Sequence, residues 1–242
     1  MNLECFIYEV KDSVLVLTMN RPEVRNAWNL KMHEEYREIL QKVDEDESIR
    51  VVILTGAPPA FSSGTDLKSL HGGASVMESN LVRDSMPQTT MMHQFKKPLI
   101  AAINGPAVGM GATIPLICDI RIASESAKIC YKFTQLGVIP EFNSAYMLPR
   151  IVGLGRAMDL FLTARTIDAK EAYEMGLVSR VVPDDQLMNV AMEIALDIAS
   201  KKEHAIRMTR ELVYRYLDTD FNEAVSQDVA LFMKAVNLTY GM

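Results

Sequence analysis

The feature that most constrains this chain is a set of short, continuously apolar runs, each closed by a turn-forming residue. RVVILTG occupies residues 50–56, PLIAAING 98–105 and CDIRIAS 118–124. A strand with one wet face alternates polar and apolar residues, whereas a strand apolar throughout is covered on both faces. A fourth run, VLVLTM at 14–19, ends in the turn-prone Asn20-Arg21-Pro22. Leu30, Met32, Tyr36, Ile39, Leu40 and Val43 then recur at helical spacing. Buried strands alternating with helices predict β-α units and a largely parallel sheet.

From about Leu154 the pattern turns helical almost throughout, with one strand-like interruption, GLVSRVV at 176–182. Segments 185–200, 203–217 and 221–238 each carry an apolar stripe. The expected organisation is therefore an α/β core over 1–182 followed by a helical C-terminal region over 183–242. The stretch 71–90, HGGASVMESNLVRDSMPQTT, has small polar residues and weak periodicity. It predicts a mobile loop or loosely held helix, either a cover over a substrate or a plain surface loop.

Composition closes off several classes of function. Hydrophobic residues make up 49% of the 242, enough for a sizeable core. A net charge of −6 argues against a general nucleic-acid binder, which needs surplus Lys and Arg. Cys5, Cys118 and Cys130 form no disulfide framework and no C-x-x-C pair. Charges run through the first residues, and no apolar run approaches the ~18 residues of a membrane span. A cytoplasmic location without membrane attachment is the expectation. The four histidines, His33, His71, His93 and His204, show no metal-ligand spacing, so no metal is expected. No G-x-S-x-G elbow is present, which weakens a Ser hydrolase reading.

Three segments are candidates for chemistry. Phe61-Ser62-Ser63-Gly64-Thr65-Asp66-Leu67-Lys68 follows the run at 50–56, and Asn104-Gly105-Pro106-Ala107-Val108-Gly109-Met110-Gly111-Ala112 follows the run at 98–103. At such strand-to-helix turns the first N–H groups have no intrahelical partner, and glycine permits close approach. Either these are ordinary turns, or together they aim two N–H groups at one oxygen, an oxyanion hole. The third segment, Phe133 to Ser144, holds a lone acid, Glu141, after Gly137 and Pro140. Glu141 either caps the next helix or, in apolar surroundings, takes up and returns protons with a raised pKa.

Taken in order, NRPEVRNAWN (20–29), FSSGTDLKSL, KPLIAAINGPAVGMGA, CDIRIAS, LGVIPE, LPRIVGLGRAMDLFLTART and DAKEAYEMGLVSRVVP resemble the crotonase (enoyl-CoA hydratase/isomerase) superfamily. The resemblance covers nearly the whole chain. It implies an α/β fold, a spiral of β-β-α units with a C-terminal helical trimerisation region, assembled as a homotrimer or dimer of trimers. It implies an acyl-CoA thioester as substrate, with coenzyme A part of that substrate and no separate cofactor. By position, the backbone N–H groups of Thr65 and Met110 would form the oxyanion hole. Ser63, Gly64, Asp66, Leu67 and Lys68 would run along the CoA, Gly109 and Phe133 would border the substrate, and Arg25 and Ala27 would lie near its phosphates and adenine. Met77, Met86, Phe133, Phe142 and Tyr146 are expected to shape the acyl pocket.

The departures from the family pattern bear on the reaction. Hydratases of this superfamily resemble one another in using two glutamates, and the matching positions here are Thr113 and Phe133. Neither works as an acid or base in the usual range. Glu141 falls where Δ3,Δ2-enoyl-CoA isomerases of the peroxisomal type carry their single acid. The resemblance thus implies a 3-enoyl-CoA to 2-enoyl-CoA isomerase. Its rivals are a hydratase or other crotonase-type lyase, a thioester hydrolase or dehalogenase with Glu141 as nucleophile, and a non-catalytic CoA-binding subunit. Dehalogenases carry a Trp on the segment at 131–137, but Trp28 lies elsewhere. The acidic balance disfavours the RNA-binding variant.

Overall fold

The computed structural model describes residues 3–67 and 88–241. Lys68, Met77, Met86 and most of the segment at 71–90 lie outside the described residues; residues 88–94 are helical.

Nine strands form two sheets among the described residues: β1 (Phe6–Lys11), β2 (Val14–Met19), β3 (Val51–Gly56), β4 (Leu99–Ile103), β5 (Ala107–Val108), β6 (Ile120–Ser124), β7 (Lys128–Cys130), β8 (Thr166–Asp168) and β9 (Arg180–Val182). The larger sheet has the order β1-β2-β3-β4-β6-β9. Only the β1–β2 hairpin is antiparallel; the other pairs run parallel, with Val14 opposite Val51 and Ile100 opposite Ile120. The smaller sheet, β5-β7-β8, stands beside it.

The continuous apolar runs have the two covered faces that their pattern implies. On one face Leu15, Leu17, Met19, Val52, Leu54 and Ala101 meet Met32, Tyr36, Ile39 and Val43 of α1 (Leu30–Glu45). On the other, Val14, Val51, Ile53, Ile100, Ala102 and Ile122 meet Leu187, Ala191 and Ala195. Helix α1 starts where the Asn29 side chain accepts the Met32 N–H at 2.9 Å, an N-cap.

Helices α2 (Met110–Thr113), α3 (Ser144–Val152), α4 (Leu154–Thr163) and α5 (Ala169–Glu174) follow in turn. The C-terminal helices are α6 (Leu187–Ala199), α7 (Glu203–Tyr216) and α8 (Phe221–Tyr240). Helix α6 lies flat on the large sheet, its Ala191 and Ala195 allowing close approach. Four strands went unread in the sequence, β1, β5, β7 and β8, of which β8 interrupts the region expected to be helical. Its single inward residue, Ile167, lies between exposed Thr166 and Asp168, too short a pattern to show a period of two.

Helix α7 is held to the core by charge. The Arg210 Nε donates to both Asp119 carboxylate oxygens at 2.9 and 3.0 Å, Nη2 donates to Met92 O at 3.0 Å, and Nη1 reaches the Phe95 carbonyl. Asp119 also accepts the Leu99 N–H at the start of β4. Helix α8 leaves a stripe of Phe221, Val225, Val229 and Phe232 exposed, and a groove of about 820 Å³ runs between it and α7. Among the described residues no helix is long and apolar enough to cross a membrane.

Removing one partner of a mostly buried ion pair strands the other and costs about 3–5 kcal/mol. Arg210→Met is therefore expected to lower unfolding free energy by about 3 kcal/mol in urea titrations. Amide exchange is expected to rise in residues 203–240 before it rises in the large sheet.

Candidate active site

The two glycine-containing turns interlock through main-chain hydrogen bonds. The Ser62 N–H donates to Pro106 O at 3.1 Å and the Val108 N–H donates to Ser62 O at 2.9 Å, a parallel bridge between Ser62 and Ala107. A Cβ on Gly64 would lie 2.5 Å from the Val108 carbonyl oxygen and 3.2 Å from the Met110 nitrogen. A Cβ on Gly111 would overlap the Ser62 carbonyl. Glycine at these two positions is thus a steric requirement, and Gly64 also has φ of +89°. The second turn is not a direct strand-to-helix handover, because β5 lies between β4 and α2.

The peptide directions follow from these pairings. Trp28 N–H donates to Gly64 O at 2.8 Å, and Asp66 N–H donates to Trp28 O at 2.9 Å. In such a parallel bridge the central residue, Thr65, turns its own N–H to the opposite edge. Met110 is the first residue of α2, where no intrahelical acceptor exists. The preceding peptide is pinned by the Gly109 N–H donating to Cys130 O at 2.9 Å. Among the described residues neither the Thr65 nor the Met110 N–H has a hydrogen-bond acceptor. Two free donors on two locked turns are what an oxyanion hole requires.

Behind the first turn stands a network that sequence reasoning did not single out. Asn26, fully buried with φ of +55°, directs its amide nitrogen at the carbonyls of Ala57, Ala60 and Phe61 at 2.8, 2.8 and 3.2 Å. Its amide oxygen accepts the Arg21 N–H at 2.9 Å. Arg21 in turn pairs with Asp66 at 3.2 Å and donates to Ala27 O. The NRP-x-x-x-NA pattern at 20–27 was the signal for this hub.

Glu141 is shaped by its local backbone. Gly137, at φ +73°, ends the 3-10 turn Thr134–Leu136, and Phe142 and Asn143 after it both adopt left-handed φ values of 54° and 57°. Such values are costly for residues other than glycine. The main-chain carbonyl of Glu141, not its carboxylate, accepts the Ser144 N–H at 3.0 Å at the start of α3. The helix-capping reading therefore fails for the carboxylate. Its Oε1 is buried without a hydrogen-bond partner among the described residues. Desolvation pushes its pKa up to about 7.

The neighbouring positions carry no second acid. Thr113 is fully buried and its hydroxyl donates to Met110 O at 3.1 Å, holding the α2 turn. Phe133 and Phe142 are buried in the same apolar cluster as Met110, Ala112 and Met147. Helix α3, which follows the Glu141 segment, packs against Ile114–Ile117, the continuation of α2. Ser63, whose N–H donates to Arg25 O at 2.9 Å, joins Arg25 to the first turn; Arg25 and Leu67 are exposed and Ala27 is buried. Tyr146 packs partly buried against that same cluster, its hydroxyl bonding Asp218 in the α7–α8 connection and its ring stacking under Arg150 at 3.5 Å. Trp28 sits against Phe6, His33 and Tyr36, remote in sequence from the 131–137 segment.

A parallel spiral core with two locked turns and a desolvated, unpartnered acid defines a class, and the family comparisons agree with it. The sequence pattern of the enoyl-CoA hydratase/isomerase family matches residues 9–239, and the chain belongs to that family. It is 35% identical to the 1,2-epoxyphenylacetyl-CoA isomerase of Escherichia coli over 87% of this chain and 82% of that protein. It is 34% identical to the short-chain-enoyl-CoA hydratase of Clostridium acetobutylicum, covering 96% and 89%. The crystal structure of an enoyl-CoA hydratase from Bacillus anthracis superposes with a TM-score of 0.93 at 35% identity, over 97% of this chain and 92% of that one. The crotonase fold is thereby established.

The raised pKa of Glu141 has a consequence for stability that needs no substrate. A carboxyl whose folded pKa lies above its unfolded value of 4.5 favours the fold fully below that value, and the advantage is lost as pH rises through about 7. Glu141→Gln removes this dependence. The unfolding free energy of the variant, relative to the native protein, is expected to improve by about 1–3 kcal/mol between pH 5 and pH 8, read from denaturant midpoints at each pH.

Proposed function

We propose that the protein is an enoyl-CoA isomerase that moves a 3-enoyl-CoA double bond into conjugation, giving the 2-enoyl-CoA. The observation that carries this reading is the half-buried Glu141, its Oε1 shut off from solvent without a partner among the described residues, with no acid at Thr113 or Phe133. Glu141, as the ionised base, removes a proton from C2 of the thioester. Charge then develops on the thioester oxygen, where the Thr65 and Met110 N–H groups stabilise the dienolate. The same carboxyl, now protonated, returns the proton at C4. One group suffices because C2 and C4 lie two bonds apart on one face. A pKa near 7 suits a group that must both take and give a proton at neutral pH.

In this reading Arg25, Ala27, Ser63, Gly64, Asp66, Leu67 and Lys68 line the CoA, and Gly109 and Phe133 border the acyl part. The 1,2-epoxyphenylacetyl-CoA isomerase of Escherichia coli among the relatives supports an acyl-CoA isomerisation. The exposed stripe at Phe221, Val225, Val229 and Phe232 supports the homotrimer or dimer of trimers that the family resemblance implies. A second reading, hydration, is favoured by the hydratase names of the Clostridium and Bacillus relatives.

The test is turnover of 3-hexenoyl-CoA and of crotonyl-CoA by wild type and Glu141→Gln. Isomerisation is expected in the wild type, falling at least about 10³-fold in the variant, the loss of a proton-transfer group. Since the base form is the deprotonated one, kcat/KM is expected to rise with pH and level off above about 7. Unchanged isomerisation in Glu141→Gln, or hydration of crotonyl-CoA that survives the substitution, sinks the proposal.

A further inference from the structure

Ser62 lies fully buried between the two turns and belongs to both. Its main chain bonds the second turn, through Pro106 O and the Val108 N–H. Its side chain bonds the first: the hydroxyl donates to Asn26 O at 2.8 Å and accepts the Gly64 N–H at 3.2 Å. Gly64 immediately precedes Thr65, and Val108 lies two residues before Met110. Gly111, one residue after Met110, closes against the Ser62 carbonyl so tightly that a methyl group would not fit. A single residue thus holds the chain shortly before each of the two free donors, the Ser63–Gly64 peptide ahead of Thr65 and the Ala107–Val108 peptide ahead of Met110.

We propose that Ser62 is a positioning residue for the thioester-oxygen site, its hydroxyl fixing the direction of the Thr65 N–H relative to that of Met110. The inference rests on the oxyanion reading above and extends it to a residue that would not touch substrate. The physical argument is one of angles. A hydrogen bond weakens steeply as its donor angle falls below about 120°. Without the hydroxyl, the Gly64 N–H and the Asn26 carbonyl lose their partner inside a buried site. The Ser63–Gly64 peptide then rotates to recover an acceptor. Because glycine at 64 imposes little torsional restraint of its own, the following Gly64–Thr65 peptide tilts about its one remaining tether, the Trp28 N–H on Gly64 O. Arg21 and Asn26 hold the loop as a whole, through Asp66 and through residues 57–61. The backbone path survives while the aim of one donor is lost.

The test reads carbonyl polarisation directly. Hexanoyl-CoA labelled with 13C at the thioester carbonyl has no double bond to move, so its C=O stretch in the bound state reports the donors alone. In the wild type the stretch is expected to fall on binding, and Glu141→Gln is expected to show the same fall while losing turnover. In Ser62→Ala the fall is expected to shrink to less than half. There kcat for 3-hexenoyl-CoA drops about 10- to 50-fold, within the ~10²–10³ that removal of a whole oxyanion donor costs, and KM changes less than about threefold. Ser62→Cys, with a longer and weaker hydrogen-bonding atom, is expected to lie between. Ser124→Ala deletes a buried hydroxyl that bonds Ser126 at 3.2 Å and neither donor-bearing loop, and is expected to match the wild type.

A Ser62→Ala protein with the wild-type carbonyl shift overturns the proposal, even if its activity falls, since the hydroxyl then acts only on stability. If Ser62→Ala does not fold, Ser62→Cys decides in its place, and a wild-type shift with wild-type kcat overturns the proposal. Absence of any shift in the wild type is a different result: it removes the oxyanion reading itself, and the role of Ser62 with it.

Discussion

The site depends on a contact in which backbone meets backbone with no side chain between. Gly111 presses on the Ser62 carbonyl and Gly64 on the Val108 carbonyl, at distances that exclude a Cβ. Two loops from different parts of the chain are thereby brought to hydrogen-bonding range without belonging to one sheet. Each contact is cheap in area but rigid in geometry, and rigidity is what a pair of fixed donors needs. The surrounding elements serve this contact: β3 and β4 deliver the two loops in register, and the Asn26 hub closes the first loop on itself.

Glu141 shows the opposite economy. Nothing among the described residues holds its Oε1, and burial raises its pKa. In a fold selected for stability alone, a buried carboxylate acquires partners or is replaced by an apolar residue. Two consecutive left-handed residues, Phe142 and Asn143, add backbone strain beside it. Strain and desolvation at one acid, with apolar Phe133 where a second acid would stand, are consistent with a group kept for proton transfer.

The sheet was legible in the sequence because its strands are buried on both faces, so the runs at 14–19, 50–56, 98–103 and 118–124 carried a signal that needed no partner to interpret. Helices α1 and α6 to α8 were legible from their apolar spacing. Strands β1, β5, β7 and β8 were not: β1 is exposed along most of its length, and the others have two or three residues each. The two glycine turns were visible as motifs, but their mutual contact was not, because sequence spacing cannot say which carbonyl a glycine will approach. Glu141 alone was ambiguous: a helix cap and a desolvated acid look the same in one dimension, and only the Ser144 bond to its main-chain carbonyl separates them. The roles of Ser62 and Asn26 were invisible, as both act through main-chain atoms of distant segments.

The position of α6 bears on how the chain comes to be folded as it is made. Four strands between residues 14 and 124 have one face covered by α1 early in the chain, but the other face waits for residues 187–199. During synthesis, then, a sheet face of Val14, Val51, Ile53, Ile100, Ala102 and Ile122 has no cover until about four-fifths of the chain has left the ribosome. Sheets built from such distant pairings form slowly and expose apolar surface while they wait. A premature stop between Ser124 and Leu187 thus releases a chain with an uncovered sheet face rather than a shortened enzyme.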